Sequence, residues 1–215
     1  MPRILRVILI AISFLMVTYL YAVLTVKAAT LEETIQDTAI HLVTVNSECS
    51  GTVVSPSVIL TARHCMGVPV TSIEIGGPDR ICKHFGKVIK AKNADLALIT
   101  VLNCGALPVA PIAASAMHRG DKFELIGLSY DVGWALSQGF VMSSDLQDIR
   151  YHKDPATYHV IALACMGCDE GDSGAGVFNL QGELEGVFVA SSENNVRTYM
   201  VPLAVVKAFL QGNHV

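Results

Sequence analysis

The sequence predicts an all-β protein built in two halves, and three observations predict it. From residue 39 onward the apolar residues fall in about a dozen short runs broken by turn residues, the pattern of a sandwich or barrel and not of βαβ units. Past the first thirty residues a single segment, near the end, has helical spacing. Between the two groups of runs lies an alanine-rich stretch, Asn103–His118, which carries Pro108 and Pro111 and reads as a linker crossing from one half to the other at a cleft.

In chain order, residues 1–28 read as a signal peptide or a signal anchor. Arg3 and Arg6 precede Val7–Val26, which holds no charge, and Lys27, Ala28 and Ala29 follow. A basic start followed by an apolar run directs export. Val26 and Ala28 are small enough to frame a cleavage before Ala29, while an apolar run of 20 residues also suffices to span a bilayer uncleaved. Both readings place residues 29–215 outside the cytoplasm, secreted or periplasmic, with membrane contact only through residues 7–26 if the leader is kept.

The first half, about 36–105, has strand candidates at Ala39–Val45, at Thr52–Ser55 and Ser57–Thr61 on either side of Pro56, at Thr71–Ile75 and at Leu96–Val101. The second, about 117–202, has them at Phe123–Leu128, Gly139–Ser143, His159–Ala164, Gly174–Asn179, Leu184–Ala190 and Tyr199–Val201. Gln181-Gly182 reads as a hairpin turn. Pro202 then opens a short helix, about 203–211, with Leu203, Val206, Ala208 and Leu210 on it.

Composition narrows the function. Only 16% of the 215 residues are charged and 52% are hydrophobic. Without Arg3, Arg6 and Lys27 the chain has 12 basic and 19 acidic residues, a formal charge of −7, and no basic run. Nucleic acid is therefore not an expected partner, since phosphate binding needs clustered Lys and Arg. The six cysteines are Cys49, Cys65, Cys82, Cys104, Cys165 and Cys168. An even number on an exported chain favours disulfides. Cys165-Met166-Gly167-Cys168 is half of a zinc motif, but no second pair stands at metal spacing, so neither metal nor cofactor is expected.

Three segments carry chemistry: Leu60-Thr61-Ala62-Arg63-His64-Cys65, Asn93-Ala94-Asp95-Leu96-Ala97-Leu98-Ile99, and Gly171-Asp172-Ser173-Gly174-Ala175-Gly176. Each alone has a plain structural reading: a surface histidine, an aspartate capping a strand, a glycine turn. Together, in this order, they supply what a serine nucleophile needs. A hydroxyl is a weak nucleophile until an adjacent base takes its proton. A buried carboxylate fixes the tautomer of that imidazole and stabilises the imidazolium. Glycines around the serine let the backbone turn sharply and aim N–H groups at one point, where an oxyanion develops.

These segments resemble those of the chymotrypsin-like, trypsin-fold serine peptidases, and the resemblance covers about residues 36–210. It implies two six-stranded antiparallel β-barrels with the site between them, and a serine endopeptidase acting on proteins or peptides through an acyl-enzyme. His64 matches the family's general base and acid, Asp95 its orienting acid and Ser173 its nucleophile, with the N–H groups of Gly171 and Ser173 as the oxyanion hole. His64 and Asp95 are only 31 residues apart, which is closer to the compact bacterial branch, as is the tail Met200-Val201-Pro202-Leu203. Gly176 stands where the family usually has proline. The chain is expected to be a monomer.

The resemblance also implies a disulfide Cys49–Cys65 beside the histidine. Cys82 and Cys104 flank the Asp95 strand and are expected to pair, which leaves Cys165 with Cys168. By analogy the primary pocket is built from Gly167, Cys168, Asp169 and Glu170 and from Val189, Ala190, Ser191 and Ser192. Gly167 stands where trypsin-like members carry an aspartate, and Phe188 where glutamate-specific relatives carry a histidine, so a small or apolar residue is expected before the scissile bond. Asp169 and Glu170 keep a basic preference open. Asp172 matches the aspartate that many relatives pair with a new N-terminus after a tryptic cut. Between Ala28 and Cys49 there is no Lys or Arg, so Asp172 is expected to find another partner. Two rival readings are an inert peptidase-fold binding protein and a peptidase restricted to itself or to one partner.

Overall fold

The computed structural model describes residues 15–16, 31–129, 133–150, 156–192 and 197–215. The leader expected over residues 1–28 lies outside the described residues, apart from Leu15 and Met16, which are helical and exposed. Contacts separate Met1–Glu33 from Thr34–Val215, and the β fold belongs wholly to the second unit. Residues 31–38 are helical, a turn with too few apolar positions to show a period in the sequence. Ile35 is fully buried there, and Gln36 Nε2 donates to Gly76 O at 3.2 Å.

The first half contains β1 (Ala39–Thr44), β2 (Glu48–Ser55), β3 (Val58–Thr61), β4 (Val70–Ile75), β5 (Ile81–Cys82), β6 (Phe85–Lys90) and β7 (Ala97–Val101). Pro56-Ser57 makes the β2–β3 turn, with Ser55 opposite Val58. The strands form one sheet in the order β5-β4-β1-β2-β3-β7-β6, a half-barrel of seven strands in place of the six-stranded closed barrel expected. The reason is local. The segment that would close the barrel breaks at Lys83-His84: Cys82 stays paired with Ile73 of β4, while a register shift between Phe85 and Val88 bends β6 onto β7. The two outer strands are thus joined through the chain and not by a ladder. Ile40, Leu42, Val53, Ile59, Ile73 and Ile99 share one face of the sheet and fill the interior, each fully buried.

The second half is the closed six-stranded barrel expected, in the order β10-β13-β12-β11-β8-β9. Its strands are β8 (Lys122–Ser129), β9 (Gly133–Ile149), β10 (Tyr158–Met166), β11 (Gly176–Phe178), β12 (Leu184–Ser191) and β13 (Thr198–Pro202). β9 pairs along β8 and then along β10, and its outer stretch is exposed, so its polar residues hide it from an alternation test. Phe123, Leu125, Val141, Leu163, Val177, Phe188 and Met200 make the core. The crossing stretch is stitched to both halves: Ala110 N donates to Val53 O at 2.9 Å and Ala113 N to Leu184 O at 3.1 Å. Pro202 precedes the C-terminal helix Leu203–Gly212, which buries Leu203, Val206 and Leu210 on one face.

Candidate active site

β3 ends at Thr61, and the chain turns into a short 3₁₀ segment, His64–Gly67, that carries the histidine out of the half-barrel. Asp95 sits in a tight loop closed by Ala91 N donating to Leu96 O at 2.9 Å. Arg63 holds that loop from outside, donating through Nη1 to Ala91 O at 2.8 Å and to Lys92 O at 3.2 Å. The result is a fully buried carboxylate that places both oxygens on His64. Oδ1 accepts the His64 backbone N–H at 2.9 Å and Oδ2 lies 2.7 Å from His64 Nδ1. The carboxylate has no proton to give, so Nδ1 is the donor and Nε2 is left as the basic nitrogen. The His64 side chain is one-third exposed, 33%.

Ser173 comes from the other half, on the turn before β11, and β2 of the half-barrel holds it there. Ser50 N donates to Ser173 O at 2.8 Å, and Ser50 Oγ donates to Gly171 O at 2.9 Å while accepting Leu128 N at 3.0 Å. Cys65 Sγ, bonded to Cys49, lies 3.5 Å from Ser173 O, a contact that brings the serine peptide against the turn bearing His64. Gly174 has φ +95°, and a Cβ there would overlap Ser50 O and Thr61 Oγ1. Only glycine permits this approach of the two halves. Gly171 has φ +100°. The N–H groups of Gly171 and Ser173 have no protein acceptor among the described residues. Ser50 and Thr61 were not singled out in the sequence; the only signal for Ser50 was its place beside Cys49.

Asp172, between these two residues, is buried at 1% exposure. Its partner is a backbone N–H: Asp169 N donates to Oδ2 at 2.9 Å. Oδ1 has no hydrogen-bond partner among the described residues and presses on Gly127, where a Cβ would overlap it. Burial pushes its pKa up to about 6, more than the Asp169 N–H lowers it, and the nearby Asp169 charge raises it further.

The structure joins Cys49 to Cys65, Cys82 to Cys104 and Cys165 to Cys168. His64, Cys49 and Cys65 place ligand-type atoms within 4.8 Å of one another, but the two sulfurs are bonded to each other and cannot hold a metal. Cys168 and Phe188 share one buried cluster with Ala175, Val177 and Met200. Gly167, φ +91°, is exposed and faces Ser137, whose Oγ lies 3.1 Å from where a Cβ would stand. Asp169 is half-buried and Glu170 exposed. Val189 is buried, Ala190 and Ser192 are partly so, and Ser191 is exposed. Buried Ser137, from β9, was missed because it lies far from both pocket segments in sequence.

Comparison with known proteins agrees with this arrangement. The family model of the trypsin-like peptidase domain matches residues 49–187, more than half of the chain. No curated protein matches the chain in sequence. Among solved structures, the active form of the Rv3671c protease from M. tuberculosis has a TM-score of 0.74 at 18% identity, covering 84% of this chain and 82% of that one. An inactive form of the same protease gives 0.71 at 16% identity, covering 85% and 92%. Identity this low speaks for the fold, and the family rests on the match over residues 49–187. The chain belongs to the trypsin-like peptidase domain family and is a serine peptidase.

Proposed function

We propose that the protein is a serine endopeptidase in which Ser173 is the nucleophile, His64 the general base and acid, and Asp95 the residue that orients His64. The observation that carries this is the 2.7 Å pairing of His64 Nδ1 with a fully buried Asp95, next to a serine peptide held from the opposite half. Ser173 Oγ attacks the scissile carbonyl and passes its proton to His64 Nε2, whose positive charge Asp95 offsets. The N–H groups of Gly171 and Ser173 receive the oxyanion, where each donor is worth ~3 kcal/mol. His64 then protonates the leaving amine, and water releases the acyl group by the reverse route.

The primary pocket lies between Gly167–Glu170 and Val189–Ser192 and takes a small or apolar side chain, since Phe188 and Cys168 are apolar and Glu170 is an exposed rim residue. The protein is exported by residues 1–28 and works as a monomer. No helix among the described residues is long and apolar enough to cross a membrane.

A fluorophosphonate probe tests the chemistry: it should label the wild type at Ser173 and neither Ser173→Ala nor His64→Ala. Digestion of a mixed peptide library tests the rest. Internal cleavage after small or apolar residues is expected, whereas release of terminal residues only, or probe labelling that persists in Ser173→Ala, would refute the assignment.

A further inference from the structure

The half-barrel does not close, and what lies at its open seam is chemically distinctive. β6 pairs with β7 on one side and with no strand on the other among the described residues. Beside that free edge runs a groove of about 360 Å³ lined by Met66, Val68, Pro69, Phe85, Val88 and Ile99, with Val88 42% exposed. Along the same strand and its flanks stand Lys83, Lys87, Lys90 and Lys92, all exposed, and no acidic residue occurs from Arg80 to Ala94. In the sequence these lysines do not form a run; β6 carries Lys87 and Lys90 and its flanks carry Lys83 and Lys92, in a chain that is otherwise acidic.

We propose that this seam is a docking site for an extended, acidic and apolar segment of a protein substrate, remote from the bond that is cut. An extended segment can add to the free edge of β6 through main-chain hydrogen bonds. Its apolar side chains then enter the groove and its carboxylates meet the lysines. Lysines on an exposed edge deter pairing with a second copy of this chain, whose edge is equally basic, and favour a strand of opposite charge. The seam is also tied to the catalytic turn. Lys90 Nζ donates to Met66 O, two residues past His64, and Arg63 donates to Ala91 O and Lys92 O at the end of the strand. A chain seated on β6 therefore runs beside the segment that positions His64. That the occupant is a substrate rests on the peptidase reading; that an acidic segment binds does not.

The test has two arms. In the first, the full chain carrying Ser173→Ala is titrated with a fluorescent peptide of alternating Val/Leu and Glu residues, with its Lys-for-Glu counterpart, and with an oligothymidylate of matched charge. The acidic peptide should bind, weaken with salt, and lose about fivefold in affinity in Lys83→Glu/Lys87→Glu, from two surface charge contacts. In the second, turnover of one cleavable sequence is compared with and without the acidic tail. The tail should lower KM about fivefold in the wild type and not in the double variant, with turnover of the untailed substrate equal in both. Failure of the acidic peptide to bind, binding untouched by the charge reversals, or equal binding of the oligothymidylate would overturn the inference. Absence of any turnover with peptide binding intact would strike the proposed chemistry and leave the docking site standing.

Discussion

Replacing Asp172 by asparagine removes a charge from the turn that carries Ser173 while keeping an oxygen for the Asp169 N–H. The carboxyl ionises at 3.8 when free and at about 6 in the fold. The folded state therefore holds this proton by about two pKa units more than the unfolded chain does, and at 1.36 kcal/mol per unit that is about 3 kcal/mol. The sign follows from which state binds more protons. The contribution is fully present below 3.8, falls as pH rises, and is gone above about 6, where the fold carries a buried and half-satisfied carboxylate. Asparagine does not titrate. Its amide, left without an acceptor beside Gly127, costs ~1–3 kcal/mol, but equally at every pH. Urea unfolding of both proteins at about pH 4 and about pH 7.5 isolates the charge, because the other groups cancel in the difference. Going up in pH, the stability difference should swing by about 2.5 kcal/mol towards the asparagine variant, the unfolded carboxyl being half ionised already at the lower pH. Parallel pH profiles would refute the reasoning and would mean that Oδ1 has a partner when the protein is in water.

Other expectations are more local. Ser50→Ala removes the donor to Gly171 O and orphans Leu128 N, so kcat should fall by about 10²-fold with KM nearly unchanged. Fluorophosphonate labelling kinetics would check it, and a rise in KM alone would contradict a positioning role. Gly174→Ala places a Cβ onto Ser50 O and Thr61 Oγ1 at φ +95°, and thermal unfolding should show a loss of ~4 kcal/mol or more. Cys49→Ser/Cys65→Ser opens a closure spanning 16 residues and should cost ~3 kcal/mol by denaturant unfolding. An unchanged midpoint would show that the bridge is not formed in the protein.

The candidate catalytic segments stand out in the sequence because the proposed chemistry tolerates few residue types: a base, a buried acid and a hydroxyl among glycines leave short, recognisable strings. Strands rich in apolar residues, such as Leu184–Ala190, were readable because nearly every position in them is buried. What escaped reading depends on partners distant in sequence. Ser50 matters only because Gly171 lies against it, and Asp172's partner is a main-chain N–H that no residue type reveals. β5 and β6 escaped because Lys83-His84 interrupts them and Gly86 and Lys87 dilute their apolar pattern. The half-barrel followed from that break, and with it the seam.

The grip of Ser50 on both sides of Asp172 also has a consequence for timing. A ribosome makes the β2 strand long before the turn that carries the nucleophile. Until the later half has folded and come to rest on the earlier one, the Ser173 peptide is not held by Ser50, and on the proposed mechanism a growing chain should be unable to cut itself or its neighbours. The same joint works in reverse. On the proposed mechanism, any force, heat or ligand that parts the halves without melting either β core should separate Ser173 from His64, so activity should vanish ahead of secondary structure.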